Sequence, residues 1–259
     1  IALWRDTFHD VEPFVQLYFS RVFKPEYNVI CQIDRHVVAA LQTLPYTLKY
    51  YTEEVQTAYI SGVSVKEAYR KQNMGNNLMS QAHFRLYYKD VVFATLIPAE
   101  EWLYDWYGRC GYMRNITCTP APEDVDKMDF VTFDSWQRTR DCVLLHDEEG
   151  FEVIKEDFRI SLAIDSKNRR ETKDVPAMIR VINAEKALQL YARRHPERTE
   201  NIRVYNDSDI PENNSYFQIK HGHVIKTNLP LPGTQVLTIA ELTDYIFKDD
   251  KLEMNLMLN

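Results

Sequence analysis

Val63-Ser-Val-Lys-Glu-Ala-Tyr-Arg-Lys-Gln-Asn-Met-Gly-Asn-Asn-Leu78 runs from a β-branched strand end through a basic turn into a helix. The helical half is set by Leu78, Met79, Ala82 and Leu86, which recur at one-turn spacing with polar residues between them. A helix starting near Met74 or Gly75 presents its first four amide groups, and the positive end of its dipole, to whatever lies in front of it. That is where phosphate binds most readily. Arg70 and Lys71 add countercharge, Asn73 tolerates a left-handed backbone, and Gly75 allows close approach to the main chain. Gln72 and Asn76 complete the cradle.

Upstream of this junction, Asp10 is placed to cap a helix carrying Phe14, Leu17 and Tyr18. Four runs rich in β-branched and aromatic residues follow, Tyr27–Ile33, Val37–Leu44, Thr47–Tyr51 and Val55–Val65. Asp34-Arg35-His36 and Glu53-Glu54 read as turns, giving an antiparallel meander. Downstream, Val91–Ile97 is a continuous apolar strand of the kind buried on both faces, and a short helix spans Glu101–Arg109. Thr119-Pro-Ala-Pro-Glu-Asp124 clusters breakers and acids and marks a boundary. Helices are expected around Thr132–Arg140 and Asp147–Phe158, and the charged stretch Ser166–Val175 reads as a loop. The tail offers a strand at Ala177–Ile182, a helix with Ala184, Ala187, Leu188 and Tyr191 on one face, and short strands at Ile202–Tyr205, Tyr216–Ile219 and His223–Asn228. It ends with a strand at Gln235–Thr238, whose Thr238-x-x-Glu241 forms a capping box for a last helix. The expected division is residues 1–118, a linking segment 119–175, and a smaller α+β unit 176–259.

Composition narrows the function. Seven glycines in 259 residues, no two in Gly-x-Gly spacing, exclude the dinucleotide fingerprint, the kinase loop and the phosphate loop. The net charge of -7 disfavours nucleic acid and anionic lipid. No apolar run reaches the ~18 residues of a membrane helix, and four cysteines without CxxC spacing read as buried thiols. A cytoplasmic protein is expected, with no membrane and no nucleic-acid partner, and its oligomeric state is left open. His221-x-His223 reads as surface histidines beside a turn, so no metal is assigned.

The element order and the turn Arg70-x-x-Asn73-x-Gly75 resemble the GNAT superfamily of acetyl-CoA-dependent N-acetyltransferases, whose pyrophosphate turn reads Arg/Gln-x-x-Gly-x-Gly/Ala. Asn73 stands where that turn has its first glycine. Tyr107-Gly-Arg-Cys-Gly-Tyr112 is similar to the Tyr-Gly-Arg-Phe-Gly-Tyr segment of the enhanced intracellular survival type, and the tail is similar to that type's sterol carrier protein-like domain. The resemblance implies an α/β (α+β) architecture, a GNAT-like mixed sheet flanked by helices followed by the smaller unit. It implies acetyl-CoA as co-substrate and a small-molecule or peptide amine as acceptor. Tyr107 would be the acid for the departing thiolate, and Val63, Ser64 and Val65 would pair with the pantetheine arm. Residues Arg70 to Asn76 would hold the diphosphate, and Ala99 and Glu100 would make a further cofactor contact. For the base the resemblance points to the terminal carboxylate of Asn259, acting through a water relay or by electrostatic attraction for a cationic substrate. The competing expectation is a non-catalytic CoA- or lipid-binding module built on the same shell.

Overall fold

A computed structural model describes residues 1–122, 124–164, 173–255 and 257. Two short helices, α1 (Ala2–Phe8) and α2 (Glu12–Leu17), open the chain. Asp10 does not cap α2: Val11 holds that position, and the Asp10 carboxylate accepts from Trp4 Nε1 at 2.8 Å. The meander has three strands where the sequence suggests four: β1 (Asn28–Ile33), β2 (His36–Tyr50) and β3 (Glu53–Val65). Asp34 and Arg35 both take positive φ, 49° and 65°, in the tight turn that the hairpin twist requires. The expected break at Pro45 is absent because β2 needs no donor there. Its outer edge pairs with β1 up to Gln42 and with another strand from Thr47, so proline falls in the gap between two partners. The second turn is Tyr51-Thr52, and Glu53 already belongs to β3.

After β3 come α3 (Met74–Tyr88), β4 (Phe93–Leu96), α4 (Glu101–Arg109) and β5 (Met113–Thr119). Leu78, Met79, Ala82 and Leu86 of α3 are buried, as their spacing predicts. Next stand α5 (Phe130–Gln137), β6 (Cys142–Leu145), α6 (Glu148–Ile164) and β7 (Val175–Val181). The tail contributes α7 (Ala184–Arg194), β8 (Thr199–Val204), β9 (Tyr216–Lys220), β10 (His223–Thr227), β11 (Gln235–Leu237), α8 (Ile239–Phe247) and β12 (Leu252–Asn255). Sequence reading finds no strand at β5, β6 or β12; β6 and β12 are four residues each, too short to show a period.

The protein is a mixed sheet flanked by helices. Eight strands run in the order β1-β2-β3-β4-β7-β5-β12-β6. Because β6 also pairs with β2, the last seven strands close into a ring. The ring draws β7 and β12 from beyond residue 176 or its edge and β6 from the linking segment, so strands of all three expected segments interleave in one sheet. A second sheet, β10-β9-β8-β11, belongs to the tail alone. Alternation along β3 sends Ala58 and Ile60 toward α3, into the cluster with Leu78, Met79 and Ala82. Thr57, Tyr59 and Ser61 face the opposite side, where Tyr18 bonds Ser61 at 2.9 Å.

Candidate active site

Strand β4 lies parallel to β3 only across Thr57–Tyr59. Beyond Tyr59 the two part: β3 continues on β2 through Val65, while β4 pairs onward with β7 and then turns at Pro98. The result is a fork in the sheet, and the β4-side edge of Ile60–Val65 has no strand partner among the described residues. A bulge sharpens it. The register of β2 and β3 shifts between Ala40 and Gln42, Gly62 takes φ 62°, and a Cβ there would stand 2.2 Å from the Trp4 ring. Only glycine fits both the left-handed backbone and the indole.

The turn beyond the fork has the expected form. Asn73 is left-handed (φ 63°, ψ 10°) and occupies the N-cap of α3. Its Oδ1 accepts from the side-chain amide of Asn76 at 2.6 Å instead of from the backbone. The N–H groups of Met74, Gly75 and Asn76 meet no acceptor among the described residues. Arg70 and Lys71 are exposed and make no ion pair among the described residues; Arg70 Nε donates to the Val65 carbonyl at 3.2 Å, and Gln72 Nε2 to that of Ala68 at 3.0 Å. Gly75 serves a purpose the sequence did not suggest: the place of its Cβ is taken by Trp106, 3.0 Å away.

That contact joins the turn to α4 and Tyr107. Tyr107 is 6% exposed and packs against Trp106 and Tyr112, with ring centroids 4.7 and 6.0 Å away. Val63, Val65 and Met74 border the same apolar cluster. Strand end, turn and Tyr107 therefore border or belong to one apolar cluster, with Trp106 between Gly75 and Tyr107. Burial, with Cys110 nearby, pushes the Tyr107 phenol far above its ordinary range. Its hydroxyl finds no hydrogen-bond partner among the described residues. Ser64 is turned inward, its hydroxyl donating to the Ala40 carbonyl at 3.3 Å. Ala99 and Glu100 lie on the exposed connection into α4, where Glu100 accepts from Trp102 Nε1 at 2.7 Å. Asn259 lies outside the described residues.

Behind Tyr107 stands a buried polar network that sequence reading missed. Arg180 of β7 donates to the Cys110 carbonyl and to Asp207 at 2.8 Å. Asp209 accepts from His83 Nδ1 at 2.7 Å, and His83 Nε2 meets the Tyr112 hydroxyl at 3.0 Å. Burial lowers the His83 pKa to about 4, so the ring is neutral and accepts from Tyr112. Gly111 (φ 88°) makes the arrangement possible, since a Cβ there would lie 2.8 Å from Arg180 Nη1. Gly111 was the one visible signal; its partners come from segments far apart in the chain. On the opposite face of the sheet a cavity of about 610 Å³ opens, with Leu44, Tyr46, Thr57 and His146 in its wall.

Residues 1–114 match the family model of the acetyltransferase (GNAT) domain. No curated protein matches the chain. A probable N-acyltransferase from Enterococcus faecalis V583 is similar in fold, with a TM-score of 0.65 at 12% identity over 93% of this chain and 85% of its own. Eis1 from Mycobacterium abscessus gives 0.63 at 9%, covering 95% of this chain and 85% of its own. A GCN5-related N-acetyltransferase from Anabaena variabilis gives 0.65 at 14%, covering 98% and 95%. At these identities the likeness is one of fold.

Proposed function

With an acetyltransferase (GNAT) domain over residues 1–114 as premise, we propose that the protein is an N-acyltransferase that moves an acetyl group from acetyl-CoA to a primary amine by direct attack. The observation that carries the reading is the row of free amides at Met74, Gly75 and Asn76, set beside a forked sheet and two unpaired cations. Anions gain from such amides because no side chain competes for them and the helix dipole adds to the attraction. Here Arg70, Lys71 and the first turn of α3 hold the diphosphate, and the free edge of Val63–Val65 takes the amides of the pantetheine arm. Ala99 and Glu100 flank the arm at the start of α4.

Attack by the neutral amine forms the C–N bond at the acyl carbon, the C–S bond breaks, and the proton lost from nitrogen passes to water. The thiolate that departs needs a donor. Tyr107, protonated at every working pH because burial raises its pKa, supplies that hydrogen bond from within the cluster bordering the turn. Full proton transfer to a thiolate, whose conjugate acid lies near 8.5, is uphill, so the phenol acts mainly as a fixed donor. A fold of the enhanced intracellular survival type, with the sheet β10-β9-β8-β11 as its sterol carrier-like unit, belongs to this proposal and draws support from the fold likeness to Eis1.

The test is a screen of primary amines with acetyl-CoA, read by release of free thiol. In Tyr107→Phe, kcat should fall by about a hundredfold while the KM for acetyl-CoA stays within about twofold. Unchanged turnover removes Tyr107 from the mechanism. Absence of any thermal stabilisation by acetyl-CoA removes the transferase reading altogether, since a ligand at about a hundred times its Kd stabilises by about 2.7 kcal/mol.

A further inference from the structure

The cavity on the far side of the sheet is closed off from the fork. Tyr59, Ser61, Tyr18 and Trp4, all buried, fill that face, with Tyr18 bonded to Ser61. No described residue of the cavity wall belongs to the basic turn, to α4 or to Val63–Val65. The cavity therefore stands apart from the proposed donor groups, between β2 at Pro45 and the helices α5 and α6.

Two acceptors of its wall converge on one place. His146 Nε2 lies 2.7 Å from the backbone carbonyl of Asn255, and a carbonyl only accepts, so Nε2 carries a proton. Burial lowers the pKa of the ring, which is then neutral with its lone pair on Nδ1. The position of a Cβ on Gly150 would be 3.7 Å from that Nδ1 and 3.1 Å from Asp147 Oδ1. Gly150 belongs to α6 and is not left-handed, so alanine would suit the helix better; what glycine leaves is room. Asp147 Oδ1 takes the Gly150 N–H at 2.8 Å, while Asp147 Oδ2 and His146 Nδ1 have no hydrogen-bond partner among the described residues. Nor have two hydroxyls of the same wall, that of Thr57, a residue 1% exposed, and that of Tyr46, whose ring lies 5.3 Å from His146.

An occupant of this place must bring donors. A neutral Nδ1 and a carboxylate only accept, and hydroxyls do either. Charge narrows the choice. The cations of the wall are spent, Arg21 on Glu156 at 3.2 Å, Lys24 on Glu149 at 3.9 Å, and Arg138 on Glu54 and Asp134. Asp147 has no cation among the described residues. Together with Glu148 and Glu149 it outweighs the positive end of α6, so the mouth of the cavity favours positive charge. The rings of Tyr27, Tyr46 and Phe130 offer apolar faces that attract a cation as well. A volume of about 610 Å³ suits a small molecule.

We infer that this cavity is a second binding site, independent of the transferase reading, for a small organic cation: a protonated primary amine with an apolar body, its ammonium held over Gly150 between His146 Nδ1 and Asp147.

Calorimetric titration and the ring signals of His146, assigned by their loss in His146→Gln, test the site. The probes are 2-phenylethylamine, the neutral 2-phenylethanol and the anionic phenylacetate, at pH 7. The amine should shift the ring signals at concentrations up to about 10 mM, with a Kd at least about tenfold below those of the alcohol and the carboxylate, the factor of one hydrogen bond from a charged donor. Gly150→Ala fills the seat with a methyl group while favouring the helix, so Tm should hold or rise and the amine's Kd should rise at least about tenfold. Asp147→Asn keeps a helix cap and removes the charge, and should raise that Kd about fivefold. A ring signal that does not move, a carboxylate that binds as well as the amine, or an unmoved Kd in either variant overturns the site. Saturating CoA should leave the amine's Kd within about twofold, and competition between them overturns the separation from the donor groups. Amine binding by a protein that CoA does not stabilise leaves this site standing while the transferase reading falls.

Discussion

Helices α3 and α8 start in opposite ways. At α8, Thr238 takes the backbone N–H of Glu241 on its hydroxyl at 3.3 Å, and the Glu241 carboxylate reaches back to the Thr238 N–H at 2.7 Å. At α3 the residues in the same two positions, Asn73 and Asn76, bond to each other through side chains only, so the Asn76 N–H stays free. The first turn of α8 carries an acid and that of α3 carries none. Helices α5 and α7 follow the pattern of α8, with Asp129 and Asn183 accepting the third amide. A helix start that spends its cap on its own backbone has settled its electrostatics. One that turns its cap away leaves positive potential for a ligand.

The largest effect should come from making α3 resemble α8. Asn76→Glu places a carboxylate among the three free amides, where it competes with the diphosphate for them and repels it. At about 4 Å, like charges cost about 1 to 4 kcal/mol across the range from water to protein surface. The KM for acetyl-CoA should therefore rise about tenfold or more, with kcat at saturation nearly unchanged. An unchanged KM would place the diphosphate elsewhere.

The contrast between the two helix starts also explains what was legible in the sequence. Local chemistry was: the capping box of Thr238 and Glu241, the left-handed Asn73, the Asp34-Arg35 turn and the buried stripe of α3 all depend on neighbours within a few residues. What depends on distant neighbours was hidden. Glu53, read as part of a turn, forms an ion pair with Arg193 across 140 positions of sequence. The ring closes through β6 and β12, each only four residues long. The Arg180 network, the wall around His146 and the contact of Gly75 with Trp106 likewise need the tertiary structure. Residues 166–172 of the expected loop, including Arg169 and Arg170, lie outside the described residues.

A smaller effect is expected at the closed start. Thr238→Ala removes the cap and should lower stability by about 1 kcal/mol, leaving the KM for acetyl-CoA unmoved. The effect has a pH signature. Bonds from the backbone and hydroxyl of Thr238 hold the Glu241 carboxyl below its ordinary value of 4.5. A lowered pKa in the folded state means stability that is fully present above the unfolded value and lost as pH falls through the folded one. The Tm gap between Thr238→Ala and the parent should thus narrow as pH drops from 6 toward about 3. A gap independent of pH would show that Glu241 adds nothing to this cap.

The smallest effect tests the residue by which the turn departs from the glycine pattern. Asn73 holds φ 63° at a modest steric cost, which asparagine bears better than most residues. Its side chain points to Asn76 and not to the backbone amides, so it stands beside the free row and does not block it. Asn73→Gly relieves the left-handed strain and gives up one exposed side-chain bond and some order in the unfolded chain's favour. The balance should be a gain of about 0.5 kcal/mol in thermal or denaturant unfolding. The KM for acetyl-CoA should change by less than about twofold, because the amides that carry the site belong to Met74, Gly75 and Asn76. A large fall in that KM would mean that the Asn73 side chain stands in the diphosphate's path, and that α3 is less open than its free amides indicate.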